Sequence, residues 1–205
     1  MELSPVASRT YVGMATPCRL RRSPPAAGSR PIVLDMRESM SKNLATSDPR
    51  PPTLLILVGP KGSGKTHIGT VIERHLGVRF LRVEPIFLAY DNGPGAVAEV
   101  RRQIGLALAA GDTVAIESTG AAPDYIRSLQ MCYERVRLAC VRATAPTCFK
   151  RFRERDTAAQ IPVSDDRFHE INERAAQADL DWDCVLDNDT GLTDEDIVRV
   201  VAGVL

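Results

Sequence analysis

Eight consecutive residues constrain this chain more than any other feature: Gly59-Pro60-Lys61-Gly62-Ser63-Gly64-Lys65-Thr66. They spell G-x-x-x-x-G-K-[ST], with the apolar run Thr53 to Val58 in front and the helical sequence HIGTVIERHL behind. That order of strand, glycine-rich turn and helix is the pattern of a phosphate-binding loop. Glycines let a loop fold tightly around an anion, so that successive backbone N–H groups and the helix N-terminus face phosphate oxygens. Gly59, Gly62, Ser63 and Gly64 are therefore expected to form the cradle. Lys65 is expected to add a point charge toward the β and γ phosphates of ATP, and Thr66 a hydroxyl to Mg²⁺. A chance match in a chain of this length is on the order of 1% before the flanking strand and helix are required.

A loop of this kind needs an α/β frame, and the rest of the chain supplies the pattern for one. From residue 53 onward, short apolar runs alternate with helical stretches, the mark of repeated βα units around a parallel sheet. Strands are predicted at Thr53 to Val58, Arg79 to Val83, Thr113 to Glu117, Val136 to Arg142 and Asp183 to Leu186. Helices are predicted at Lys65 to Leu76, Gly95 to Ala109, Pro123 to Tyr133, Pro146 to Asp156, Ser164 to Ala178 and Thr193 to Val204. In the longest, Val97, Val100, Ile104, Ala107 and Leu108 fall on one stripe, as a helix covering a sheet requires.

Composition excludes other classes. At 44% hydrophobic and 25% charged, the 205 residues match a packed globular protein. Equal numbers of basic and acidic residues, 26 each, leave no basic field for nucleic acid. No run of about 18 apolar residues exists to span a membrane. Residues 1–52 differ from the rest: they hold eight of the fourteen prolines and many serines, with no sustained periodicity, and residues 1–50 carry eight basic against four acidic groups. A disordered basic tail is expected there, with a domain over residues 53–205. A transit peptide, or an over-extended start with Met36 or Met40 as the true one, are the other readings of the tail. Five scattered cysteines (18, 132, 140, 148, 184), with no CxxC pair, suggest neither a zinc site nor a disulfide framework and fit a reducing cytoplasm. A monomer or homodimer is expected.

Several charged residues stand where chemistry could use them. Glu117 ends the third predicted strand, where an open α/β sheet places its ligand crevice, and is expected to organise Mg²⁺ or substrate; a solvated strand end is the alternative. Glu84 ends the second predicted strand and reads as a general base, a substrate ligand or a plain loop carboxylate. Asp91 falls in the Gly-rich stretch Asp91 to Gly95, where Asp is an ordinary turn residue. Arg151 and Arg155, four residues apart, share one helix face able to reach a nucleotide, with a mobile connector over Thr157 to Val163 suited to a lid. A solvated helix face is the competing reading of that cluster.

With these motifs together, the sequence from about residue 53 to 205 resembles the small P-loop kinases related to shikimate kinase, gluconate kinase and the nucleoside monophosphate kinases. The resemblance implies a three-layer α/β fold with a five-stranded parallel sheet ordered 2-3-1-4-5, and a lid closing over ATP. It places Arg151 near the adenine or phosphates and makes Arg155 the lid arginine. Asp187-Asn188-Asp189 would begin the loop lining the adenine pocket, with Asn188 binding nucleotide. The activity implied is transfer of the γ-phosphate of ATP to a hydroxyl or phosphate of a small-molecule acceptor; a P-loop ATPase or nucleotide sensor acting through a protein partner is the alternative. Shikimate kinase has paired aspartates after its second strand and a glycine run after its third. Here stand Glu84 alone and Glu117-Ser118-Thr119-Gly120, which argues against shikimate. Arg101 and Arg102, on the helix expected to border the acceptor pocket, are candidates to bind an anionic group there, and with aromatics at 5% of the chain none is expected to cluster at that site.

Overall fold

In the computed structural model, residues 51–155 and 161–205 are described; residues 1–50 of the expected tail, Asp156 at the end of a predicted helix, and residues 157–160 of the expected connector lie outside them. The elements follow in the order β1 Leu54–Val58, α1 Lys65–Leu76, β2 Arg79–Leu81, α2 Val83–Ala89, α3 Pro94–Ala109, β3 Val114–Ser118 and α4 Pro123–Cys132. They continue with β4 Val136–Arg142, α5 Ala145–Glu154, α6 Asp165–Ala176, β5 Cys184–Asp187 and α7 Asp194–Ala202. The five strands are parallel and ordered β2-β3-β1-β4-β5, as the resemblance implied.

β1 is the middle strand, and its sequence LLILV is buried along its whole length. An unbroken apolar strand is what a parallel sheet covered on both faces demands. Alternation then divides the core. Leu55 and Leu57 join Ile68, Val71 and Ile72 of α1 and Ile197 and Val201 of α7 on one face. Leu54, Ile56 and Val58 meet Val100 and Ile104 of α3 and Ile126 and Leu129 of α4 on the other. Register β1–β3 sets Leu57 beside Glu117 and Val58 beside Ser118, which brings the end of β3 against the loop that leaves β1.

Helix starts obey local chemistry: Thr144, Ser164 and Thr193 cap α5, α6 and α7 by accepting from the N–H groups of Thr147, Arg167 and Asp196. One element departs from expectation. Glu84 does not end a strand; β2 stops at Leu81, and Glu84 lies in the first turn of α2. Pro85 suggests a break in the sequence, yet proline is tolerated in a first helical turn, where its missing N–H would lack an intrahelical partner anyway. Among the described residues no helix is long and apolar enough to cross a membrane.

α5 and α6 are joined by aromatic packing. Phe168 is buried, stacks on Phe152 with ring centroids 4.5 Å apart, and contacts Phe149 at 5.4 Å. Phe168→Ala leaves a cavity between the two helices and is expected to cost about 3 to 5 kcal/mol. In thermal unfolding this corresponds to a lowering of Tm by about 10 °C. A shift under about 3 °C would mean that the rings do not hold the helices together.

Candidate active site

The cradle leaves β1 at Gly59, whose N–H donates to Ser118 O at 3.1 Å, tying it to β3. Gly62 and Gly64 have φ of 87° and 98°, in the left-handed region that side chains resist. Space excludes a side chain as well: a Cβ on Gly62 would lie 2.2 Å from Cys148 O, and one on Gly64 2.2 Å from Asn188 Nδ2. Ser63 is fully buried beneath the loop. Lys65, also buried, donates to Gly59 O at 2.8 Å and Pro60 O at 2.9 Å. Burial lowers its pKa from 10.5 to about 8, against the opposing pull of Glu117.

Thr66 Oγ1 donates to Glu117 Oε2 at 2.8 Å, so the expected metal pair does come together. Two adjacent oxygens at the mouth of a phosphate cradle suit Mg²⁺, which prefers hard oxygen ligands and keeps waters and substrate phosphate in its shell. Among the described residues no group of three or more His, Cys, Asp or Glu side chains could hold a metal. Arg155, just past the end of α5, donates to Thr66 Oγ1 at 3.3 Å and so meets the same hydroxyl.

Arg151 lies one turn back and is engaged differently. Its guanidinium donates to Asn188 O at 2.9 Å and Asp189 O at 3.3 Å, fastening the loop after β5. Asn188, buried, donates to Ser63 O at 2.8 Å and accepts from Leu192 N–H at 3.0 Å, so its side chain props the cradle from behind. Arg151, Arg155, Asn188, His67 and Leu192 line a hollow of about 460 Å³ beside Gly62 and Gly64.

A second cavity, about 420 Å³, opens on the other flank and is bordered by Lys61, Lys65, Thr66, Glu84, Glu117 and Arg155. Here Glu84 Oε1 pairs with Lys61 Nζ at 2.9 Å. Lys61 N–H donates to Asn172 Oδ1 at 2.7 Å and Asn172 Nδ2 donates back to Lys61 O at 3.1 Å, so α6 holds the tip of the cradle. Sequence reasoning missed Lys61 and Asn172. Lys61 occupies a variable position of the motif, and Asn172 lies 111 residues away with no local signal to link them.

Two expectations are corrected. Arg101 and Arg102 do not border the cavity: Arg101 donates to Ser128 Oγ at 2.8 Å, and Arg102 pairs with Glu99 on its own helix. Aromatics do reach this cavity, since Phe87 of α2 and Tyr125 of α4 line it. The helix carrying Phe87 is the one that sequence periodicity did not reveal.

A 2-3-1-4-5 parallel sheet whose central strand feeds a glycine-rich cradle defines the fold of the small P-loop kinases. Solved structures share it. A sugar kinase from Janibacter sp. HTCC2649 is 16% identical over 73% of this chain and 91% of its own, with a TM-score of 0.53. The APS kinase of Mycobacterium tuberculosis in complex with AMPPNP and APS is 15% identical over 75% and 98%, at 0.50. The shikimate kinase of Acinetobacter baumannii in complex with shikimate is 13% identical over 72% and 90%, at 0.50. No family model matches the sequence, and no curated protein matches it either. At these identities the likeness establishes the fold.

The lowered pKa of Lys65 makes a pH test available. Phosphate bound in the cradle would bring negative charge to Lys65 and favour its ammonium form, so the bound lysine would hold its proton to higher pH than the free one. ATP affinity is therefore expected to be flat below about pH 8 and to weaken above it by up to about tenfold per pH unit. Calorimetry at pH 9 in buffers of different ionisation enthalpy should register proton uptake on binding. An affinity unchanged from pH 7 to 9.5 would separate Lys65 from the phosphates.

Proposed function

We propose that the protein is an ATP- and Mg²⁺-dependent phosphotransferase of the cytoplasm that moves the γ-phosphate of ATP to a hydroxyl of a small molecule. One observation carries this reading: two cavities flank the same cradle, both bordered by Gly62, Gly64 and Arg155. A hydrolase needs room for one substrate and water, whereas a kinase needs a compartment for each of two substrates.

In this reading the cavity with Arg151 and His67 receives the nucleotide, and the one with Glu84 receives the acceptor. Backbone N–H groups of Gly62 to Thr66 bind the phosphates, and Lys65 neutralises charge between β and γ. Thr66 and Glu117 would hold Mg²⁺, which offsets negative charge on the phosphates. Glu84, placed by its pairing with Lys61, takes the proton of the acceptor hydroxyl. The hydroxyl oxygen then bonds to the γ-phosphorus as the bond to the β–γ bridging oxygen breaks. Arg155 supplies positive charge to the moving phosphoryl group.

The test is ADP formation by the full chain with MgATP across a screen of small hydroxylated molecules. Stimulation by an acceptor, with a stoichiometric phosphorylated product, is expected. Hydrolysis indifferent to every acceptor and altered only by a protein partner would favour a nucleotide sensor instead. Glu117→Gln weakens the metal pair and is expected to raise the Mg²⁺ concentration for half-maximal ADP formation by about tenfold.

A further inference from the structure

The 420 Å³ cavity has a mixed lining. Lys61, Glu84, Thr66 and Glu117 stand beside the cradle, and Val83, Phe87, Ile116, Tyr125, Val163 and Ile171 give the lining a largely apolar remainder. Those six come from α2, β3, α4, α6 and the segment before α6, so the apolar character is not an accident of one helix. Its volume lies in the range of small-ligand sites, which combine an apolar lining with a few polar groups that fix orientation.

The charges that reach this cavity already have protein partners. Lys61 is paired with Glu84. On α6, Arg167 pairs with Glu170, while Arg174 donates to Ala121 O at 3.1 Å and approaches Glu170 at 4.0 Å. Lys65 is bonded to the carbonyls of the cradle. A carboxylated or phosphorylated acceptor would have to draw Lys61 from Glu84, Arg167 from Glu170 or Arg174 from Ala121 O, while Arg155, the remaining cation of the lining, is turned to Thr66 Oγ1 beside the cradle. A polyol would set several hydroxyls against Val83, Phe87 and Ile171, and each hydroxyl buried without a partner loses its hydration for nothing. Tyr125 contributes an aromatic ring to the wall, and its phenol, buried without a partner among the described residues, is a neutral donor.

We infer, resting on the kinase reading above, that the acceptor is an uncharged alcohol on an apolar body of aromatic size, its hydroxyl at the Glu84 end and its body against Phe87, Tyr125 and Ile171. A single hydroxyl then meets the polar end, and the remainder of the molecule is removed from water against side chains that need no polar partner.

The experiment separates binding from turnover. The full chain loaded with Mg²⁺ and AMPPNP is titrated calorimetrically with 3-phenyl-1-propanol, 2-(2-naphthyl)ethanol, D-gluconate and shikimate, and ADP formation from ATP is followed with the same four. Both aryl alcohols are expected to bind, the naphthyl compound at least about 5-fold more tightly, and to stimulate ADP formation, while the two carboxylates do neither. Phe87→Asn, at a half-buried site, should weaken the aryl alcohols at least about 10-fold and leave AMPPNP affinity within about 2-fold. Arg174→Ala should leave aryl-alcohol affinity unchanged. Failure of both aryl alcohols to bind the AMPPNP-loaded chain overturns the inference, as does gluconate or shikimate binding that is lost in Arg174→Ala. Aryl alcohols that bind in a Phe87-dependent manner without promoting ADP formation would uphold the chemistry of the cavity and overturn the kinase reading instead.

Discussion

Lys65→Met is expected to lower phosphoryl transfer by about 10³-fold or more and to leave the chain folded. Lys65 is buried and held against the cradle's own backbone, by Gly59 O and Pro60 O, whereas the cradle's other lysine, Lys61, is paired with Glu84. A preorganised charge in a water-poor site is worth far more than the same charge in water, and removing one such donor commonly costs 10²- to 10³-fold or more. Methionine fills a similar volume without the charge, so the core under α1 stays packed. The same substitution has a second signature. Because the folded pKa of about 8 lies below the ordinary 10.5, the buried ammonium opposes folding in full below pH 8, and that opposition fades as the pH rises to about 10.5. Wild-type stability should therefore gain on the variant across pH 8 to 10.5, by an amount on the order of 3 kcal/mol. Urea unfolding of both proteins at pH 7 and 10 measures this. Normal ADP formation in the variant would remove the cradle from the chemistry, and parallel stability profiles would remove the charge from the core.

How much of this was legible in the sequence depends on how local each signal is. The cradle could be read to the residue because glycine, lysine and threonine must occur there in fixed order. β1, β4 and α1 followed from apolar runs and a 3.6-residue period bounded by capping and turn residues. Glu117 could be placed because its strand end is marked by Val114 to Ile116 on one side and Ser118 to Gly120 on the other. α2 was hidden because it is a short helix with proline in its first turn, directly after a strand, so Val83 read as more strand. That error moved Glu84 to a strand end and concealed Phe87. Asn172 and the Lys61–Glu84 pair were out of reach for another reason: each joins residues that only the tertiary fold brings together. Arg151 and Arg155 were rightly seen to share a face, but periodicity cannot tell a guanidinium fastened to Asn188 O and Asp189 O from one at Thr66.

That distinction sets the expectation for the two arginines. Arg155→Ala is expected to lower kcat by at least about 100-fold with little change in ATP affinity, a smaller loss than the 10³ to 10⁵ associated with arginines that serve the phosphoryl transition state. Arg155 is exposed except where it reaches Thr66 Oγ1, the hydroxyl that also meets Glu117. Arg155 borders both cavities, and in the proposed reaction a cation there would lie next to the moving phosphoryl group, where negative charge grows during transfer. Arg151→Ala should do something else. Its guanidinium restrains the loop from Asn188 to Asp189, and Asn188 in turn supports Ser63, so its loss loosens the wall of the hollow proposed to take the nucleotide. The expected result is a rise of about tenfold in KM for ATP with kcat changed less than about 3-fold, consistent with loss of binding that is equal in ground and transition states. Steady-state kinetics of both variants at saturating acceptor separate the two roles. If neither kcat nor KM moves in Arg155→Ala, its contact with Thr66 is incidental, and Arg155 is an ordinary solvated residue at the end of α5.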